Sequence, residues 1–177
     1  RGPLAEIIDD QNGGVNDPNV AINGDENEYC AVYDLRSASP AKWATARIDA
    51  SDLSIGQKSF FNSISGNTEI EYNGKTKNYL AVYDGYDSRG VKGKILNSCG
   101  DAGSGAEFIV KAGLGRASLA YNSKSDTYGV IGQNAQDYGN GYSIISPTGI
   151  VLMTGDLFTT GSRIGNFAPV IAANIND

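Results

Sequence analysis

Four aspartates recur at matching places in this chain. Asp34, Asp84, Asp87 and Asp137 stand in or beside loops that follow similar apolar runs, with Arg36 and Arg89 close by. Carboxylates gathered on one face can do two kinds of chemistry: a pair flanking a glycosidic bond can act as acid and base, and six to eight oxygens can hold calcium. No D-x-D-x-D-G run is present to make a calcium loop. The same aspartates also suit two structural tasks, binding the N–H groups of their own turns and pairing with Arg36 and Arg89. Trp43, the one tryptophan, is placed either to stack on a sugar or to pack between sheets. The seven residues Asp34, Arg36, Trp43, Asp84, Asp87, Arg89 and Asp137 are therefore the candidate ligand loops, with a glycan, a protein or calcium as the ligand classes.

Catalysis has less to draw on. The chain contains no histidine, which removes the commonest general base and the usual partner in a nucleophilic triad. The run "CGDAGSG" from Cys99 to Gly105 has the letters of a protease nucleophile loop, but Gly, Ser and Asp together are the ordinary composition of a turn. The segment "SKSDTYG" does not fit the Asp-box pattern of sialidases. The reading from sequence is a protein that is not an enzyme, with no catalytic residues, no cofactor and no resident metal.

The loops are positioned by a repeat. "VAINGDENEYCAVYD" (20–34), "IEYNGKTKNYLAVYD" (70–84) and the more divergent "LAYNSKSDTYGVIGQ" (119–133) share one pattern, and "PVIAANIND" near the end reads as the opening of a fourth. Anchored on Asn23, Asn73, Asn122 and Asn174, the spacings are 50, 49 and 52 residues, and Tyr29, Tyr79 and Tyr128 each follow six residues later. Two alternating or apolar runs joined by "NGDENE", "NGKTKN" or "NSKSDT" make a hairpin. A third strand follows in each copy ("KWATARID", "VKGKILN", "YSIISP"), then a fourth ("KSFFNSI", "AEFIVKA", "DLFTTGS"). Four strands recurring in about 50 residues mark a β-propeller blade. The competing arrangement, a β-sandwich with similar hairpins, does not account for the shared wording.

The expected fold is all-β: an array of four-stranded antiparallel propeller-type blades, about three full blades plus terminal strands. It forms one domain over 1–177, with units at about 18–65, 66–114 and 115–164. Val20, Ile22, Val32, Ile70, Leu80, Val82, Leu119 and Val130 are expected in the core, with the tyrosines bridging core and rim. In the third copy, Gly129, Ile131 and Gly132 replace larger residues and put that blade's packing in question.

These residues carry a resemblance. The three hairpin segments are similar to the "AYN…EYLVVW" repeats of large secreted or surface-anchored bacterial and archaeal proteins, and "ARIDASDLSIGQKSFF" resembles the second half of that repeat. The resemblance covers nearly the whole chain and implies a propeller-like extracellular module used in display, adhesion or assembly.

Composition agrees with a globular chain of many short strands: 177 residues, 40% hydrophobic, 23 glycines and 10 tyrosines. A net charge of −6 with no basic stripe disfavours nucleic acid, and no apolar run approaches a membrane span. The first residue is Arg1, which reads as a processed, truncated or tagged chain. Cys30 stands where the second copy has Leu80 and reads as a buried apolar thiol; Cys99, in a Gly-rich turn, reads as an exposed thiol or a disulfide partner.

Three blades cannot close an ordinary ring. The leading strand "PLAEIID" and the trailing "APVIAAN" then leave open edges carrying Leu4, Ile7, Ile8, Val170 and Ile171. The partners expected for these edges are other copies of the chain or the rest of a longer one, at the cell surface or outside the cell.

Overall fold

A computed structural model describes residues 16–35, 42–61, 65–85, 90–101, 105–134, 139–158 and 169–173. Twelve strands form three sheets and, among the described residues, no helix. The first sheet holds β1 (Asn16–Asn23), β2 (Glu28–Leu35), β3 (Lys42–Asp49) and β4 (Ile55–Phe61). The second holds β5 (Ser65–Asn73), β6 (Asn78–Gly85), β7 (Val91–Leu96) and β8 (Phe108–Lys111). The third holds β9 (Leu114–Asn122), β10 (Thr127–Asn134), β11 (Asn140–Ile145) and β12 (Val151–Phe158). Each sheet is an antiparallel meander in chain order. This is the propeller-type array of about three blades read from the repeat.

The recurrent asparagine explains why the hairpins look alike. Asn23 Oδ1 accepts the N–H groups of Asp25 and Glu26 at 3.1 and 3.2 Å. Asn73 does the same for Lys75 and Thr76 at 2.8 and 3.2 Å, and Asn122 for Lys124 and Ser125 at 3.0 and 3.2 Å. A side-chain oxygen thus replaces the missing ladder partner in each turn. The residue closing the turn adopts positive φ in every copy: Asn27 at 52°, Lys77 at 56° and Asp126 at 53°. On each first strand the pairing slips once, between Asn16 and Asn19, between Ser65 and Thr68, and opposite Ile131 to Gln133. A bulge of this kind increases local twist.

Alternation along β6 builds the core. Tyr79, Ala81 and Tyr83 face the first sheet and pack with Ala21, Cys30, Val32, Trp43 and Phe61. Leu80 and Val82 face the third sheet and pack with Leu119, Tyr128, Val130 and Ile145. Polar clasps fasten neighbouring sheets beside the inner strands: Thr68 Oγ1 donates to the Asp17 carbonyl at 2.8 Å, and Asn67 Nδ2 to the Ala117 carbonyl at 3.1 Å.

Four expectations change. Val20 and Ile22 are exposed, at 52% and 68%, although Ile70 and Leu119, the repeat counterparts of Val20, are at 2% and 4%. They occupy the face of β1 turned away from the second sheet, where no described sheet lies. Cys30 is not a free thiol: it is bonded to Cys99, tying the first sheet to the turn after β7. The glycines of the third copy are accommodations, since a Cβ at Gly129 would lie 2.9 Å from Ile171 Cδ1 and one at Gly132 would lie 2.6 Å from Leu114 Cγ. Finally, β4 begins at Ile55, earlier than "KSFFNSI", because Asp49 N–H bonds the Ser54 carbonyl at 3.0 Å and shortens the turn. Leu4, Ile7 and Ile8 lie outside the described residues.

The disulfide closes a separation of 69 residues. Cross-links of that span stabilise by about 4 kcal/mol, mainly by restricting the unfolded chain. Replacing both cysteines with alanine should lower the calorimetric melting temperature by roughly 10 °C while far-UV circular dichroism remains that of the same β fold. An unchanged melting temperature would show that the bond contributes no net stability.

Candidate functional site

Of the ligand-loop residues singled out by sequence, the three that are described, Asp34, Trp43 and Asp84, do not line one open site. Asp34, at the end of β2, is buried and stands opposite Trp43 in the ladder. Trp43 is fully buried, stacked on Phe61 at 3.9 Å and tilted against Tyr83 at 4.9 Å. It offers no exposed face to a sugar. Asp84, at the matching place on β6, accepts the N–H of Arg116 at 3.2 Å. It therefore clasps the bulged first strand of the next sheet, since a carboxylate satisfies N–H groups that the bulge removes from the ladder. Arg36, Asp87, Arg89 and Asp137 lie outside the described residues. Among the described residues, no three His, Cys, Asp or Glu side chains come together around a common point. Ile171 packs on the third sheet at Gly129, with its N–H 3.4 Å from Ser118 Oγ, whereas Val170 is 83% exposed.

A cleft of about 230 Å³ opens at the other end of the inner hairpins, between the first and second sheets. Its floor is Glu28, buried at the start of β2. Tyr79 donates its hydroxyl to Glu28 Oε1 at 2.8 Å, Asn23 donates Nδ2 to the same oxygen at 3.2 Å, and Arg47 Nε bonds Oε2. Burial, and then the bond to the carboxylate, hold the Tyr79 hydroxyl well above its ordinary pKa. The rim carries Glu26, Gln57, Tyr72, Lys77, Asn97 and Ser98, and the disulfide closes the back at Cys99. Tyr72 lies against Tyr79 with ring centroids 4.9 Å apart and donates to Asp25 Oδ2 at 2.9 Å. Its pKa is pushed up to about 12, chiefly by burial and then by that bond.

Two further carboxyls sit on the inner strand of the middle sheet. Glu69 and Glu71 are partly buried and alternate with Ile70, which enters the core toward the first sheet. Burial and then the neighbouring Glu71 charge raise Glu69 to about 7, against the opposing effect of Asn19 Nδ2 at 2.7 Å. Glu71 is raised by burial. A carboxyl that keeps its proton near neutrality is suited to donate a proton or a hydrogen bond. Sequence reasoning passed over this pair, although a signal existed: the repeat counterparts of positions 69 and 71 are Asn19 and Ala21 in one copy, and Ser118 and Ala120 in another.

No protein-family profile and no curated protein matches this chain. Solved structures that share its fold include the following two. The catalytic domain of a GH62 α-L-arabinofuranosidase from Coprinopsis cinerea matches over 90% of this chain and 55% of its own, with a TM-score of 0.57 at 11% identity. A quinonprotein alcohol dehydrogenase-like protein from Bacteroides thetaiotaomicron matches over 78% of this chain and 33% of its own, with a TM-score of 0.54 at 18% identity. The chain thus spans about half and a third of the lengths of these neighbours. At such identities the likeness concerns fold, and it agrees with a propeller-like repeat protein. It also overturns the expectation that the chain is not an enzyme, because nearly all of this chain superposes on a glycosidase catalytic domain. Paired carboxylates suffice for glycoside hydrolysis, so a lack of histidine does not exclude catalysis on this architecture.

The raised Glu69 carboxyl sets a pH dependence. Below its ordinary value of 4.5, both folded and unfolded chains hold the proton. Between 4.5 and about 7 the unfolded chain releases it while the folded one keeps it, so stability falls as pH rises through that window. Allowing for screening of this partly exposed group, the loss is about 1–2 kcal/mol. Glu69→Gln should flatten the melting-temperature profile between pH 4.5 and 7 and should melt higher than the parent at pH 8. Parallel profiles would mean that Glu69 ionises like a free carboxylate.

Proposed function

We propose that the chain is a self-associating arc of a β-propeller, in which the exposed apolar strip along β1, the inner strand of the first sheet, is packed against another copy, in an extracellular assembly. One observation carries this reading. Val20 and Ile22 are exposed at 52% and 68%, yet Ile70 and Leu119, the repeat counterparts of Val20, are buried to 2% and 4% against the preceding sheet. The first sheet therefore presents the apolar surface used at both internal seams. Burying each such aliphatic side chain is worth roughly 1.5–3 kcal/mol.

The other end of the arc supports the same logic. Ile171 holds the place in the repeat held by Ile70 and Leu119, and it packs on the third sheet. A head-to-tail contact with the geometry of the internal seams would replace this segment with β1 of the next copy, setting Val20 where Ile171 now packs. Such a contact closes or propagates according to the rotation it imposes. Two copies would contribute six sheets, within the four to eight blades of closed propellers. That the matched neighbours extend well beyond this chain's length fits an arc of a larger ring. In a longer protein, covalently attached blades would take the same face. The Cys30–Cys99 bond favours an oxidising, extracellular compartment.

Sedimentation velocity across about two decades of concentration tests the reading. Self-association should raise the mass above the 18.6 kDa of one chain, and Ile22→Asp should return it to monomer without lowering the melting temperature. A single species of one-chain mass at every concentration would exclude self-association and leave covalent completion of the ring.

A further inference from the structure

The cleft between the first and second sheets departs from the repeat, and the departure opens it. Between the second and third sheets the corresponding place is closed: Asn78 Nδ2 donates to the Pro147 carbonyl at 3.1 Å, and Tyr128 donates to Asn78 Oδ1 at 3.2 Å. One repeat earlier, Glu28 replaces Asn78, and Arg47 stands where the second sheet has Ile95, as the pairings Cys30 with Arg47 and Leu80 with Ile95 establish. Glu28 turns to Arg47, Asn23 and Tyr79, and the gap it does not bridge is the 230 Å³ cleft. Bonding within the repeat explains the floor, while Gln57 and Lys77 at the opening are exposed.

Those side chains define a ligand class. Glu26 and Glu28 balance Arg47 and Lys77, so neither a cation nor an anion is favoured. Carboxylate, ammonium, amide and hydroxyl groups line this one small space and offer both acceptors and donors. The partly exposed Tyr72 ring, backed by the buried Tyr79, supplies an aromatic wall. A compact neutral molecule with a ring of hydroxyls and one apolar face satisfies all three conditions. We propose that this cleft binds a single neutral pyranose or furanose ring, such as the terminal residue of a glycan. The cavity falls below the size of drug-sized pockets, which limits it to one ring. The disulfide at Cys99 and the locked Glu28 preorganise two of its walls, lowering the ordering cost of binding. The site lies within one chain and does not rest on the self-association proposed above.

Saturation-transfer NMR and chemical-shift titration of the full chain with methyl glycosides of glucose, galactose, mannose, xylose and arabinose test the proposal. Methyl glucuronide and glucosamine serve as charged controls. At least one neutral glycoside should bind saturably with a dissociation constant on the order of 1 mM, shifting resonances of Tyr72, Lys77 and Asn97. Gln57→Ala combined with Lys77→Ala, both on exposed side chains, should weaken that binding about tenfold at an unchanged melting temperature. Three results would overturn the proposal: no saturable shift up to about 50 mM sugar, binding that survives the double substitution, or preference for a charged control.

Discussion

Each of the three sheets is apolar on both faces, and that single condition governs the rest of the molecule. A four-stranded meander cannot bury two apolar faces by itself, so each sheet is stable only between neighbours. The middle sheet meets the condition fully. Along β6, Tyr79, Ala81 and Tyr83 enter one interface while Leu80 and Val82 enter the other, and all five are buried. The outer sheets meet it fully on one side and in part on the other, where Tyr33, Leu35, Ala44 and Ala46 of the first sheet are buried. On the first sheet the inner strand leaves Val20 and Ile22 in solvent, while on the third the gap at Gly129 is filled by Ile171.

Polar groups at the seams follow the same plan. The repeated tyrosine sends its hydroxyl back to the preceding sheet, to Glu28 in one copy and to Asn78 in the next. These bonds fix how far each sheet rotates against its neighbour, because a buried hydroxyl without a partner would cost 1–3 kcal/mol. The disulfide adds a covalent tie at the first seam alone. That seam is also where Glu28 and Arg47 displace the repeat's usual pair and where the cleft opens, so the most firmly tied boundary is also the one with space for a ligand.

The architecture has consequences for chemistry. Its inner strands converge and bring carboxyls such as Glu69 and Glu71 into partly dry surroundings that raise their pKa values. A glycosidase catalytic domain with the same fold shows that a propeller of this kind supports hydrolytic chemistry. Fold likeness transfers scaffold and not activity, and for this chain the scaffold is what is common.

Much was legible in the residues alone. The 50-residue spacing and the period-two alternation determined the hairpins, the antiparallel meanders and the third strands at Lys42–Asp49 and Val91–Leu96, because turn chemistry and alternation are local properties. The same repeat led to misplaced expectations for Val20 and Ile22. A repeat assigns equal roles to equal positions, whereas burial depends on whether a neighbouring sheet is present, and no described sheet lies on that side of the first sheet's inner strand. The pairing of Cys30 with Cys99, the space left at Gly129 for Ile171 and the cleft around Glu28 were decided only by tertiary structure. Each depends on the distance between atoms about 40 to 70 residues apart in the chain, and local sequence preferences contain no information about that distance.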